Sequence, residues 1–188
     1  MKTLNKYVRG LFGSVNGAIK TIWLKIVHGN NVQLPRVSVL SLLSEITVDR
    51  GGKLSIGNRF RMRGGSKIRV RKGAKCSIGN NISLNHGCMI VCRESISICD
   101  GAQFGPNVLI YDHDHDFRVD GGISAGKYKE SPIIIGKNVW IGANSVVLRG
   151  TVIGDNCVIG AGCIIKGSVP ANSILVQKRF DNINPLNS

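Results

Sequence analysis

The chain has 188 residues, 43% of them apolar, which is room for one ordinary domain or one solenoid with an appendage and predicts a buried core. Its formal charge of +14 points to an anionic partner, among phosphates, acidic sugars, nucleic acid and anionic lipid, without choosing between them. No uncharged apolar run reaches the roughly 18 residues that span a bilayer, and no secretory signal with a cleavage site is seen, so a cytoplasmic location is expected.

Residues 5–27 place Tyr7, Leu11, Phe12, Val15, Ala18, Ile19, Ile22, Trp23, Ile26 and Val27 at steps of one, three and four, a helical stripe. Lys6, Arg9, Lys20 and Lys25 occupy the other side, and Gly10, Gly13 and Gly17 predict a break near 13–17. Two roles fit this basic amphipathic segment: a cap on the end of a repeat array, or an interfacial helix on an anionic membrane. Asn30 to Ser44, with Pro35 and two short apolar runs, reads as a lead-in, so residues 1–45 form an N-terminal appendage.

From residue 46 to 170 an aliphatic residue recurs every six positions, without a slip from Ile135 through Ile141, Val147, Ile153 and Ile159 to Ile165. A period of six fits neither a helix nor a single strand; it fits a parallel β-helix that turns a corner at each repeat. Offsets of eight, as from Met62 to Val70 to Ile78, predict two-residue insertions at corners. Glycine follows the aliphatic position at Gly57, Gly79, Gly105, Gly136, Gly142, Gly154 and Gly160, often with Asn or Asp next, residues that turn cheaply into left-handed conformations.

Cys76, Cys88, Cys157 and Cys163 fall two residues before repeat positions and read as small buried fillers in a reduced compartment; none of the six cysteines has metal-ligand spacing. Ten basic residues from Arg50 to Lys75 lie in an acid-free stretch, either a solvated face or one turned to an anion. Between Tyr111 and Ser131 the beat is lost. DHDHDFRVDGGISAGKYKE leaves the solenoid there as a loop over 112–131, and such excursions on rigid scaffolds commonly carry function. Residues 171–188 read as a tail.

Over residues 48 to 175 these features resemble the hexapeptide-repeat acyltransferases. GPNVLIYDHDHDF is similar to the segment that leads to the catalytic histidine in sugar O-acetyltransferases of the maltose and galactoside type. PIIIGKNVWIGANSVVLRGTVIGDNCVIGAGCIIKGSVP is similar to their CoA-binding coils. The basic N-terminal segment and DHDHDF look more like acetyltransferases of capsule, exopolysaccharide or lipopolysaccharide assembly. The resemblance implies a left-handed parallel β-helix with three flat faces, an all-β solenoid, and a homotrimer with active sites between neighbouring subunits.

It further implies transfer of an acetyl group from acetyl-CoA, the acyl-donor substrate, to a hydroxyl of a sugar or glycan, with no metal and no nucleic acid required. The catalytic histidine falls on His115, with His113 the alternative; a neutral imidazole suits the removal of a hydroxyl proton. Asp112, Asp114 or Asp116 would fix its tautomer, and spacing does not say which. At the acceptor the resemblance places Asn85 and, on the family's acidic position, Cys92. His86, Asp112 and Asp114 are further acceptor candidates. Trp140, Gly142, Ala143, Gly160 and Ala161 would line the pantetheine arm, the N–H groups of Ala143 and Gly160 offering an oxyanion hole, and Lys166, Lys178 and Arg179 would meet the CoA phosphates. The alternatives are N-acetylation of a nucleotide-linked amino sugar, a γ-type carbonic anhydrase using His86, His113 and His115, and a non-catalytic basic binding module.

Overall fold

A computed structural model describes residues 2–35 and 38–178, with side chains from residue 12 onward. Its body is a three-faced parallel β-solenoid, a left-handed parallel β-helix of about six turns, with one N-terminal helix. Face A stacks Val32–Gln33, Lys53–Ile56, Lys75–Ile78, Ser95–Ile98, Ile133–Ile135, Val152–Ile153 and Ser168–Val169. Face B stacks Val39–Leu40, Arg61–Met62, Ser83–Leu84, Gln103–Phe104, Trp140–Ile141, Val158–Ile159 and Ile174–Leu175. Face C stacks Glu45–Val48, Lys67–Val70, Met89–Cys92, Leu109–Tyr111, Val146–Val147 and Ile164–Ile165.

The chain runs A to B to C in each turn, so successive inward residues come from different faces and meet on one axis. Ile78, Leu84 and Ile90 close one such layer, and Ile135, Ile141 and Val147 close another; all six are buried. Two boundaries differ from the expectation. The first turn begins at Val32, inside the supposed lead-in, and the last strand reaches Leu175, inside the supposed tail. The offsets of eight also have another origin. The extra residues lengthen strands, as in Lys67–Val70 and Lys75–Ile78, and the corner between them has the usual four.

Corner glycines and asparagines divide the work differently from the sequence reading. The left-handed position at the AB edge belongs to Asn81, Asn138, Asn156 and Asn172, whose φ values lie between 54° and 59°. The glycine after each aliphatic residue serves close approach instead. A Cβ on Gly142 would stand 2.5 Å from the Ala161 nitrogen of the next turn, closer than any real contact.

Lys2–His28 is one unbroken helix, α1, with no break at 13–17. It caps the first turn, but through its small-residue side. Gly13, Gly17, Thr21 and Leu24 face the solenoid, and a Cβ on Gly17 would overlap the Ser38 carbonyl. Carbonyls at the end of the stack, which have no preceding turn to bond, are met by side chains. Asn16 Nδ2 donates to the Leu40 oxygen at 3.0 Å, and the Lys20 ammonium donates to the carbonyls of Ser41, Leu42 and Ser44. The apolar stripe read from the sequence therefore points outward: Phe12, Val15, Ile19, Ile22, Trp23, Ile26 and Val27 are all exposed. Side chains of Tyr7 and Leu11 lie outside the described set. No described helix is long and apolar enough to cross a membrane.

Candidate active site

The ribbon at 112–131 departs from the CA edge. His113–His115 and Tyr128–Glu130 pair antiparallel, with a 3-10 turn at Gly122–Ala125, and the Ser131 amide returns to the Asp112 carbonyl at 2.9 Å. Leaving the prism costs the preceding turn its partner. The Arg93 and Glu94 amides would ordinarily bond carbonyls of the next turn, and the chain has gone elsewhere. The Asp112 carboxylate supplies the missing acceptors. Arg93 N–H donates to its two oxygens at 2.8 and 3.0 Å, and Glu94 N–H donates to Oδ2 at 2.8 Å. Asp112 is fully buried and is the one charged side chain among the buried polar residues described.

Asp112 Oδ1 also lies 3.1 Å from His113 Nδ1. Burial pushes this carboxyl up, but the hydrogen bonds from His113, Arg93 and Glu94 outweigh it, and the carboxyl stays below the usual carboxylate range. With Nδ1 bonded to a carboxylate, the His113 ring is held in the tautomer that presents Nε2 as the acceptor of a proton. The His113 side chain is 12% exposed, set edge-on to Tyr111 and Tyr128 with centroids 6.0 and 5.5 Å away. His115 is exposed and tilted over Tyr128 at 4.6 Å.

The other two carboxylates face outward partners. Asp114 accepts from Arg149 Nε at 2.6 Å, and Asp116 pairs with Lys129 at 3.2 Å. Asp112 is thus enclosed and unavailable to an acceptor, and Asp114 is engaged by Arg149. Cys92, expected on the acceptor, is a buried core residue; a hydrogen bond shared with Cys76, together with burial, pushes its thiol up and keeps it protonated.

Several supporting residues were not foreseen. The Arg93 guanidinium stacks 3.5 Å from the Tyr128 ring centre and pairs with Glu130 at 3.1 Å, clamping the ribbon to the turn below it. The sequence signal for this clamp is faint: residues 93–94 are the only two between the Met89–Cys92 and Ser95–Ile98 strands, a shortened corner.

The remaining candidates stand elsewhere. Asn85, His86, Gly142, Ala143, Gly160 and Ala161 share the BC edge on different turns. Asn85 Oδ1 accepts from the His86 N–H at 2.9 Å, turning the His86 ring to solvent. Gly160 cannot offer its N–H to an oxyanion, because that group donates to the Leu175 carbonyl at 2.8 Å as part of the ladder. The N–H groups of Ala143 and Ala161 have no acceptor among the described residues. Trp140 is exposed on face B, between Gln103 and Val158, and runs directly into Gly142 and Ala143. Lys166 follows the last face C strand and so sits at the CA edge, remote from Trp140; Lys178 lies beyond the final strand, and Arg179 lies outside the described residues.

One chain therefore carries the supported imidazole and the alanine-glycine wall on opposite edges of face C. That face presents Met89, Leu109, Val146 and Ile164 outward, an apolar exterior between the two halves.

Comparison with known proteins agrees with this architecture. The family described as "Hexapeptide repeat of succinyl-transferase" matches residues 132–166. Over 90 residues the chain is 30% identical to the putative lipopolysaccharide biosynthesis O-acetyl transferase WbbJ of Escherichia coli K12, covering 44% of this chain and 46% of that protein. It is 36% identical over 84 residues to the galactoside O-acetyltransferase of the same organism, covering 43% and 39%. The match thus spans less than half the length of these curated relatives. Among solved structures, a mutant of AntD, an N-acyltransferase from Bacillus cereus in complex with dTDP and coenzyme A, superposes with a TM-score of 0.63 at 22% identity, covering 80% of this chain and 81% of that one. The six-residue beat and the three-faced solenoid it builds are those of left-handed parallel β-helix proteins, and residues 132–166 match the hexapeptide-repeat family.

Proposed function

We propose that the chain is an acetyl-CoA-dependent O-acetyltransferase acting on a sugar or surface-polysaccharide intermediate, with His113 as its general base. The observation that carries this reading is the enclosed Asp112–His113 pair at the root of the ribbon. A hydroxyl is a weak nucleophile until its proton is removed, and an imidazole backed by a carboxylate is suited to remove it. An amine acceptor is already nucleophilic and has less need of such a pair. Similarity to an O-acetyl transferase of lipopolysaccharide biosynthesis supports the acceptor class.

In this mechanism His113 Nε2 takes the acceptor O–H proton as the oxygen attacks the thioester carbonyl. The tetrahedral intermediate collapses with cleavage of the C–S bond, and the imidazolium returns its proton to the leaving CoA thiolate. Asp112 steadies the positive charge on the ring between the two transfers. The N–H groups of Ala143 and Ala161, facing out of the ladder, suit the developing oxyanion, and Trp140 the pantetheine arm. Because base and wall lie on opposite edges of face C, a complete site forms where the CA edge of one copy meets the BC edge of another, which favours a homotrimer.

Comparing His113→Ala with His115→Ala tests the assignment. The first should lower kcat by roughly 10²–10⁴-fold with CoA binding intact, the usual worth of a positioned base. The second should mainly raise KM for the acceptor. Unchanged turnover in His113→Ala would sink the assignment.

The outward face of α1 suits an anionic membrane surface, since the helix carries no Asp or Glu and turns its aliphatic and aromatic residues to solvent. Vesicles containing anionic lipid should sediment the wild-type chain but not Ile19→Glu/Trp23→Glu, whose substituted positions leave the solenoid contact untouched. Equal sedimentation of both would refute that placement.

A further inference from the structure

On face B, next to the AB edge, lies an open cavity of about 230 Å³ lined by Arg59, Arg61, Asn81, Ile82, Ser83 and Gln103. Nothing in the transfer mechanism uses it. Within the basic stretch Lys67 and Arg69 pair with Glu45, and Arg71 with Asp49; Arg59 and Arg61 have no acidic partner among the described residues, and of the basic residues without one they are the two that line this cavity. Two arginines thus border one depression that Ser83 and the buried Ile82 also line. The Gln103 amide nitrogen is fixed on the Asn81 carbonyl at 2.8 Å, so the far wall is held in place.

Arg59 also breaks a rule that the other turns keep. It occupies the left-handed corner position with φ 58°, where the later AB corners have Asn81, Gly101, Asn138, Asn156 and Asn172. Asn and Gly tolerate that conformation at little cost, and arginine does not. The fold gains nothing evident from an arginine at this corner. A residue kept against its local preference, beside a second unpaired arginine and over a cavity, marks a binding feature.

We propose that this cavity seats an anionic group, phosphoryl or carboxylate, carried by the acceptor; the word acceptor rests on the transferase reading, the anion site on its own geometry. Forked guanidiniums recognise both groups by paired N–H donors. The placement fits. Arg61, Ser83, Gln103 and Trp140 are successive register partners on face B. At about 4.8 Å per strand the middle of the cavity, at Ser83, would lie roughly 10 Å along the prism from the indole. An acceptor reaching from that point across face B toward the BC edge, where the ribbon of another copy would meet the acyl wall, would be gripped by its charged end while its hydroxyl meets the acetyl group. Part of the net positive charge then has a defined ligand.

Calorimetric titration of the full chain with inorganic pyrophosphate, uridine diphosphate and glucuronate tests this without turnover. At least one should bind saturably, and Arg59→Asn/Arg61→Gln should weaken it at least tenfold, while Lys72→Gln, outside the cavity, should not. Binding of the diphosphates identifies a phosphorylated acceptor, and binding of glucuronate an acidic sugar. Arg59→Asn restores the corner residue of the other turns, so loss of binding in that single variant is not loss of fold. No saturable binding, undiminished binding in the double variant, or displacement of the probe by CoA would each overturn the proposal. A chain that binds the probe yet transfers no acetyl group would refute the transferase reading and leave the anion site standing.

Discussion

The prism and the ribbon solve the same backbone problem by opposite means. In the prism the strand amides find carbonyls one turn away, as Lys75 N–H finds Glu94 and Leu109 N–H finds Ser145, so side chains are free to be merely apolar and of the right size. At the ribbon the next turn is missing, and one ionised side chain replaces the absent backbone acceptors. The difference shows what the proposed chemistry would rest on. A carboxylate that completes the fold is also the group that orients His113, so on the proposed mechanism structure and reactivity share Asp112.

That coupling makes Asp112→Ala the most damaging change expected. It strands the Arg93 and Glu94 amides at a part-buried corner, and since an unsatisfied buried donor costs about 1–3 kcal/mol, a loss of roughly 1–4 kcal/mol is expected by denaturant titration. A comparably large loss in a prism variant such as Ser145→Ala, also buried and with a side chain that donates only to the Gly160 carbonyl, would erase the contrast between the regions. The pH dependence has a defined sign. The Asp112 carboxyl lies below its ordinary value in the fold, so its contribution is complete above about pH 4, the unfolded value, and is lost as pH falls through the lower folded value. Wild type should lose stability over that acid range, and the Ala variant should lack that portion of the loss.

Much of the prism was legible because an inward position has a narrow chemical requirement repeated at fixed spacing. Ile135 to Ile165 could be read off directly, and so could the place where the reading stops. The ribbon's interior was not legible in the same way. Choosing between His113 and His115 depends on a carboxylate whose partners, Arg93 and Glu94, lie 19 and 18 residues earlier and become neighbours only through the stacking of turns. Cys92 and Asp112 were expected at the acceptor for the same reason: their placement on motifs said nothing of which way the side chain turns. In α1 the stripe was visible but its direction was not, since the face that docks is built from Gly13, Gly17 and Thr21, which carry no hydrophobic signal. Close approach, not apolar area, decides that contact.

The smallest expected effect has the opposite sign and lies in the regular part of the molecule. If prism corners are governed by conformational preference alone, Arg59→Asn should stabilise the chain, because Asn accepts a φ near +58° more readily than arginine. The gain should be about 0.5–1 kcal/mol, roughly 1–4 °C in Tm for a chain of this size. The same substitution at the cavity should weaken binding of an anionic probe. A gain in stability together with a loss of binding would identify Arg59 as a residue retained against the interest of the fold, as functional positions commonly are. A loss of stability would instead show that the guanidinium packs the corner, and the contrast between a self-sufficient prism and a functional ribbon would stand without exception at Arg59.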